Sequence, residues 1–142
     1  MNEIKIAPSV LSADFAAMGS EVERLEKCGA DLIHCDVMDG TFVPKITFGC
    51  DMIAAIRRHT FLPLDVHLMV INPQNQVRLF AEAGASTITV HREACGEDLK
   101  NVLRLIKNCG AHCGVVINPD TSLKEVYDCL DMCDTLLIMS VF

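Results

Sequence analysis

Two patterns of apolar and polar residues alternate along this chain. Short apolar runs rich in β-forming side chains predict strands at Ile4–Pro8, Asp31–Met38, Pro63–Met69, Ser86–His91, Cys113–Asn118 and Thr135–Met139. The segments between them place apolar residues every three or four positions, which is typical of amphipathic helices. The predicted helices are Phe15–Cys28, Cys50–His59, Asn72 to Gly84, Glu97–Asn108 and Thr121 or Ser122 to Leu130. Regular alternation of strand and helix predicts a parallel sheet covered by helices.

The spacing of the strands indicates a β/α barrel. A strand recurs about every 26 residues, and eight such units would need roughly 210 residues. We therefore expect residues 1–142 to form a single partial domain, a (β/α)8 TIM barrel truncated to about six βα units. An open six-stranded sheet that is complete by itself is the alternative.

Composition narrows the classes of function. The chain has a net charge of −7 and a pI of about 5.1, which argues against nucleic acid and anionic membranes as partners. It has neither an apolar run long enough for a membrane span nor a signal peptide at its start, so we expect a cytoplasmic protein. The eight cysteines then predict free thiols. A Cys₄ zinc site is the alternative, built from Cys109, Cys113, Cys129 and Cys133.

Two predicted strands carry candidate metal ligands. Side chains alternate along a strand, so His34 and Asp36 share one face, with Met38 just beyond them. The next strand repeats this pattern with His67 and Met69. Imidazole and carboxylate groups at adjacent strand ends predict a site for one divalent ion bound by His34, Asp36 and His67. Hydrogen-bonded core histidines are the alternative interpretation.

Several segments of the sequence resemble the ribulose-phosphate 3-epimerase family. The matching segments are Ala7–Asp14, His34–Gly40, Phe42–Pro44, Thr47–Gly49, Leu64–Met69, Asn118–Pro119 and Met139–Val141. They follow the family's order over the whole chain. The resemblance implies a TIM barrel of the ribulose-phosphate-binding type, with the active site at the carboxyl ends of its strands.

The resemblance also implies an activity, the interconversion of D-ribulose 5-phosphate and D-xylulose 5-phosphate through an enediolate. It implies one divalent ion, with zinc expected first and Fe²⁺, Mn²⁺ or Co²⁺ as alternatives. Asp36 would be both a metal ligand and the acid–base group on one face of the sugar. Ser9, His67, Met38, Met69 and Met139 would contact the substrate, and the three methionines would exclude water. Core packing is the alternative role for the methionines. We expect no metal role for His91, which would either line the pocket or be structural.

Two departures from the family qualify this interpretation. Lys45 stands where the family usually has asparagine after Phe-Val-Pro. The family's second acid–base aspartate, on strand seven, and its phosphate-binding loops have no counterpart before Phe142. We therefore expect an incomplete form with doubtful activity by itself, which forms a homo-oligomer or has its barrel completed by another chain. An epimerase of a related ketose phosphate such as allulose 6-phosphate, or an inactive barrel fragment that acts as a scaffold, is the alternative.

Overall fold

The computed structural model describes residues 4–141, which contain one sheet of five parallel strands. The strands are β1 (Ile33–Met38), β2 (Leu64–Met69), β3 (Thr87–His91), β4 (His112–Ile117) and β5 (Thr135–Ile138). Each strand pairs with the next one along the chain, so the order in the sheet is the order in the sequence. The predicted α/β architecture with a parallel sheet is confirmed.

The helices are α1 (Met18–Lys27), α2 (Cys50–Arg57), α3 (Val77–Glu82), the single turn α4 (Arg92–Cys95) and α5 (Leu99–Asn108). Helix α1 precedes β1, and the other helices lie in the crossovers between strands. Helix α5 buries Leu99, Val102, Leu103 and Ile106 on one side, and each such side chain contributes about 1.5–3 kcal/mol when it is fully buried. None of the helices within residues 4–141 is long and apolar enough to cross a membrane.

The predicted first strand is not formed as a strand. Residues 4–8 are extended and run alongside β1, where the carbonyl of Ile6 accepts from Asp31 and that of Pro8 accepts from His34. Only Ser9 makes a bridge that counts as strand pairing, to His34. The physical reason is twofold, since Pro8 has no N–H to donate and the side chains of Ile4 and Ile6 remain exposed.

The prediction of a last α-helix is also wrong, because that segment forms 3₁₀ turns instead. Between β4 and β5 the chain forms two short 3₁₀ turns, Leu123–Val126 and Leu130–Met132, within the part of the chain that the structure describes. Its buried side chains, Val126 and Cys129, are three residues apart, and a spacing of three brings side chains into line on a 3₁₀ helix. The Cys129 thiol donates to the Val126 carbonyl at 3.1 Å.

The sheet has two faces of opposite character. Side chains at alternate positions of β1 to β4 pack with the helices into one apolar core, which includes Ile33, Cys35, Val37, Leu64, Val66, Leu68, Ile88, Val90, Cys113, Val115 and Ile117. We call this the outer face. The residues between them form the inner face, on which the register places His34 beside Asp65 and Asp36 beside His67. The polar residues of β1 and β2 are therefore brought together by strand pairing alone.

Candidate metal centre

Three side chains on β1 and β2 converge on one point of the inner face. One ligand atom each from His34, Asp36 and His67 lies within 4.8 Å of the others. Asp36 Oδ1 lies 3.1 Å from His34 Nε2 and 3.0 Å from His67 Nδ1. The structure thus brings together the three side chains that the sequence pointed to as metal ligands.

The opposite atoms of the same groups are held by other residues. His34 Nδ1 lies 2.8 Å from Asp65 Oδ2, and His67 Nε2 lies 2.8 Å from His91 Nε2. Bound metals are typically held by imidazoles whose other nitrogen makes such a hydrogen bond. Each histidine therefore has one nitrogen engaged by the protein and one facing Asp36.

The donor set fits a divalent ion. Two imidazole nitrogens and one carboxylate oxygen are ligands that Zn²⁺ and its first-row neighbours accept. His67 is almost fully buried, whereas His34 and Asp36 are partly accessible. The protein therefore holds each imidazole at its other nitrogen, and His34 and Asp36 remain partly accessible to solvent.

Electrostatics among these side chains favour a charged pair. Burial opposes the charge on His34, but hydrogen bonds to Asp36 and Asp65 outweigh burial and raise the pKa of His34 to about 9. Burial likewise opposes the charge on Asp36, but hydrogen bonds from His34, His67 and Ser9 hold the pKa of Asp36 well below its usual range. A bound cation would replace the proton on His34.

Ser9 is joined to Asp36 rather than standing apart. Its Oγ donates to Asp36 Oδ2 at 2.5 Å and accepts from the backbone N–H of Leu11 at 3.1 Å. The two oxygens of Asp36 thus have separate tasks, with Oδ1 facing the histidines and Oδ2 facing Ser9. This contact fixes the plane of the carboxylate.

A cavity of about 370 Å³ adjoins the metal centre at Asp36. It is lined by Leu11, Asp36, Met38, Val43, Pro44, Lys45, Met69, His91, Met139 and Val141. All three methionines singled out in the sequence therefore lie on one cavity together with the Asp36 carboxylate. Ser9 and His67 contact Asp36 but are not among the residues that line this cavity.

The loop after β1 is built on Asp39. Its carboxylate accepts from the backbone N–H groups of Thr41 and Phe42, and from that of Ile71 after β2. Gly40 follows with a φ of 74°, a conformation that favours glycine. This turn carries Lys45 to the cavity, so the departure from the family pattern lies at the mouth of the site.

Glu93 is the residue whose place beside the site the sequence did not predict, whereas His91, expected either to line the pocket or to be structural, lies on the cavity lining. His91 is buried against His67, and Phe42 lies over it with ring centroids 4.7 Å apart. Burial, followed by the nearby His67, lowers the pKa of His91 to about 4. His91 Nδ1 lies 3.2 Å from Glu93 Oε2. The available signal was an H-x-E sequence at the end of a strand whose register continues that of the metal-binding strands.

The cysteines form no second metal centre within residues 4–141. All eight thiols are free, and the set His34, Asp36 and His67 is the one group of three or more metal-binding side chains found there. Burial raises the pKa values of Cys113, Cys129 and Cys133. The alternative of a Cys₄ zinc site is therefore not supported, and the thiol prediction is confirmed.

Curated relatives and solved structures place the chain among known proteins. It is 51% identical over 138 residues to a ribulose-phosphate 3-epimerase of Bacillus subtilis, covering 97% of this chain and 63% of that protein. It is 48% identical over 141 residues to the chloroplastic ribulose-5-phosphate-3-epimerase of Arabidopsis thaliana, covering 99% of this chain and 50% of the relative. The chain thus spans between half and two thirds of the length of these two relatives.

Solved tryptophan synthase alpha chains share the fold. The chain from Legionella pneumophila subsp. pneumophila has a TM-score of 0.64 at 18% identity, covering 97% of this chain and 62% of that one. A mutant alpha-subunit from Pyrococcus furiosus has a TM-score of 0.70 at 14% identity, covering 93% and 63%. These likenesses support the barrel-type arrangement of βα units. The family model described as "Ribulose-phosphate 3 epimerase family" matches residues 5–142, and with the identities above it shows that the chain belongs to the ribulose-phosphate 3-epimerase family.

Proposed function

We propose that this chain carries the metal-binding part of an active site that interconverts D-ribulose 5-phosphate and D-xylulose 5-phosphate. The observation that carries the proposal is the convergence of His34, Asp36 and His67 beneath a cavity lined by methionines. The names of the relatives support this substrate over allulose 6-phosphate, since those compared above are epimerases of ribulose phosphate. A set of metal-binding side chains on a cavity favours an enzyme over an inactive scaffold, because a scaffold needs neither.

One divalent ion would be held by His34 Nε2, an oxygen of Asp36 and His67 Nδ1. We propose Zn²⁺, with Fe²⁺, Mn²⁺ or Co²⁺ as alternatives that suit the same donors. When bound, such an ion acts as a Lewis acid that polarises the C2 carbonyl and so acidifies the proton on C3.

Asp36 is the proposed base that removes this proton. It is the one carboxylate on the cavity lining within residues 4–141. Its pKa is low while both histidines can donate hydrogen bonds to it, and a nitrogen that ligates a metal can no longer donate such a bond. A divalent ion on the same carboxylate would in turn hold the pKa of Asp36 low, so Asp36 is ionised with or without the ion and can accept a proton.

The other residues would orient the substrate and exclude water. Met38, Met69 and Met139 present flexible apolar side chains above Asp36, which would shield the enediolate formed from the sugar. The Ser9 hydroxyl, already donating to Asp36 and accepting from Leu11, keeps one lone pair for a sugar hydroxyl. The Lys45 side chain at the mouth supplies a positive charge for an anionic substrate.

Inversion at C3 needs an acid–base group on each face of the sugar. Residues 4–141 place one carboxylate, Asp36, on the cavity. We therefore expect these residues by themselves to exchange the C3 proton with solvent rather than to invert the centre. The family's second acid–base group would have to come from further chain or from a partner molecule.

The edge of the sheet supports such a completion. Within the described residues β5 pairs with β4 alone, and the side chain of Ile138 on β5 is 61% exposed. Exposed strand edges tend to pair with further strands. We propose that additional strands, from the same polypeptide or from another copy in a homo-oligomer, cover this edge in the active assembly.

We also propose a cytoplasmic location and a role in the pentose phosphate pathway. Eight free thiols suit a reducing compartment. The proposed substrate and product are both pentose phosphates. A chloroplastic relative exists, so organelle fractionation is the measurement that decides the compartment.

The function is tested in heavy water. The purified chain is incubated with Zn²⁺ or Mn²⁺ and ribulose 5-phosphate, and deuterium at C3 is measured by NMR. We expect metal-dependent deuterium incorporation that stops when a chelator is added. Exchange that continues after complete removal of metal would contradict the proposal, as would the absence of bound metal in the native protein.

A further inference from the structure

A line of hydrogen bonds leads from His67 away from the metal centre and ends at a loop on the far side of β3. His67 Nε2 contacts His91 Nε2 at 2.8 Å, and the two rings meet edge to edge with centroids 5.0 Å apart and planes inclined by 26°. His91 Nδ1 in turn contacts Glu93 Oε2 at 3.2 Å. Both imidazoles are 1% exposed, so no bulk water competes for these contacts.

Glu93 is fixed at its other oxygen. Its Oε1 accepts from the backbone N–H of Asn118 at 2.8 Å and from the Thr121 hydroxyl, both in the loop after β4. These bonds outweigh burial and lower the pKa of Glu93. Glu93 is therefore an ionised carboxylate that can only accept, and its free oxygen points at His91.

Counting hydrogens along the line gives one arrangement. Because Glu93 only accepts, His91 carries its hydrogen on Nδ1, and a neutral His91 then has a bare Nε2. A contact between two nitrogens holds one hydrogen, so this hydrogen belongs to His67 Nε2. His67 Nδ1, the atom that faces Asp36, then either donates a hydrogen to that carboxylate or presents a lone pair to a bound cation.

We propose that Glu93 and His91 are positioning residues that set the tautomer of His67 and so present its Nδ1 lone pair to the divalent ion. The inference rests on the proposed function for the identity of the ligand, a divalent cation. It assigns a purpose to two residues that lie outside the proposed set of metal ligands. His34 has a shorter version of the same device, because Asp65 accepts directly at its Nδ1.

The substitution Glu93→Gln keeps the size of the side chain but reverses the direction of the hydrogen bonds that lead to His67. The backbone N–H of Asn118 can only donate, so the amide oxygen of the glutamine must face it and the amide NH₂ must face His91 Nδ1. His91 then carries its hydrogen on Nε2, and His67 must carry its own on Nδ1, where it blocks the lone pair. Partners of this kind change metal affinity by about 10–100-fold when mutated, and we expect a loss of Zn²⁺ affinity of that size.

The matched control is Glu125→Gln. It makes the same chemical change on a carboxylate that is half exposed and lies 3.8 Å from Arg92 rather than near a histidine. Affinity for Zn²⁺ is measured by competition with a chromophoric chelator at fixed pH. We expect Glu125→Gln to bind Zn²⁺ within twofold of the unmodified chain.

The tautomers are read directly by NMR. With ¹⁵N-labelled histidine the chain has five imidazoles, and the signals of the exposed His59 and His112 are identified by single substitution to glutamine. In the unmodified metal-free chain we expect hydrogen on Nε2 of His67 and on Nδ1 of His91. In Glu93→Gln we expect the hydrogen of His91 on Nε2 and none on Nε2 of His67, an effect that a merely structural role would not produce.

The outcomes separate this inference from the proposed function. A bare Nε2 on His67 in the unmodified chain would overturn the inference even if Glu93→Gln does not fold. A folded Glu93→Gln chain with unchanged tautomers and unchanged Zn²⁺ affinity would overturn it as well. An unmodified chain with the expected tautomers that binds no divalent ion would instead overturn the proposed function, leaving Glu93 and His91 to orient a histidine without that ligand.

Discussion

The outer and inner faces of the same strands differ in composition and in role. On β1 the outward residues Ile33, Cys35 and Val37 are at most 4% exposed and pack with the helices. The intervening residues His34 and Asp36 make polar contacts with side chains from neighbouring strands. One backbone therefore carries an apolar core on one side and a charged network on the other.

The difference shows that stability and chemistry are separable in this fold. Burial of apolar area on the outer face is the favourable term in folding. Buried charged groups on the inner face contribute little or even cost stability compared with apolar residues of similar size. Changes to the inner face should therefore act mainly on chemistry, although removal of one partner of a charged pair also costs stability, and changes to the outer face should act mainly on stability.

The largest effect is expected for Asp36→Asn on the inner face. The substitution removes the charge that both histidines face and the proposed base, so Zn²⁺ affinity should fall by at least about 100-fold. Exchange of the C3 hydrogen should fall by about 10²- to 10⁴-fold. Metal content by mass spectrometry and deuterium exchange by NMR are the measurements. Asp128→Asn, on an exposed carboxylate paired with Lys100, is the control and should change neither.

The next effect is expected on the outer face, for Ile88→Ala. Ile88 is fully buried between β3 and the helices. Removal of its side chain beyond Cβ should lower the free energy of unfolding by about 2–5 kcal/mol. Urea denaturation measures the loss, and the folded protein should still bind one Zn²⁺ with unchanged affinity. Weakened metal binding at full stability would show that the two faces are not separable.

The alternation of faces could be predicted from sequence because it follows from local geometry. In Leu64–Met69 the side chains of Asp65, His67 and Met69 are fixed on one side by the period of a strand. Parallel pairing of strands at similar height then brings His67 beside Asp36. Nothing beyond strand period and strand order was needed to expect these ligands together.

The remaining features depend on contacts distant in sequence. Glu93 has its place because of a backbone N–H on Asn118, 25 residues away, and no local pattern encodes that bond. The segment before Ser9 was predicted as a strand from its composition, but strand formation also requires pairing that Pro8 cannot give. The sequence therefore predicted which side chains the strands place on the inner face, and the structure added the distant residues that hold those side chains by hydrogen bonds.

A smaller effect is expected from pH, which sharpens the comparison on the inner face. The pKa of His34 is raised to about 9 in the metal-free protein, so at pH 7 its imidazole must lose a proton before it can bind a cation. Apparent Zn²⁺ affinity should therefore rise by up to about tenfold per pH unit from pH 7 and become level above about pH 9. Chelator competition across this range measures it, with His112→Gln as a control that keeps the slope. A flat profile between pH 7 and 9 would contradict the charged His34–Asp36 pair.

The same shift predicts a pH dependence of stability in the metal-free protein. A raised pKa in the folded state means that the charge on His34 contributes fully below the unfolded value of about 6.5. That contribution is lost as pH rises through about 9. Urea denaturation of the metal-free chain should show stability falling over this window, and His34→Gln should remove this part of the slope. A slope that persists in full in His34→Gln would assign the effect to other groups.

The smallest effect is expected at Cys35, which lies between two proposed ligands in sequence but on the opposite face. Thiolates are favoured zinc ligands, yet burial and the nearby charges of Asp65 and Asp36 raise the pKa of Cys35 to about 12. Cys35→Ala should leave Zn²⁺ affinity within twofold and cost about 1 kcal/mol of unfolding free energy. In the unmodified chain, mass spectrometry after a short exposure to iodoacetamide should find the exposed Cys28 alkylated and Cys35 intact. Loss of metal in Cys35→Ala would place this thiol on the inner face, and the separation of the two faces would fail at the position where sequence proximity is greatest.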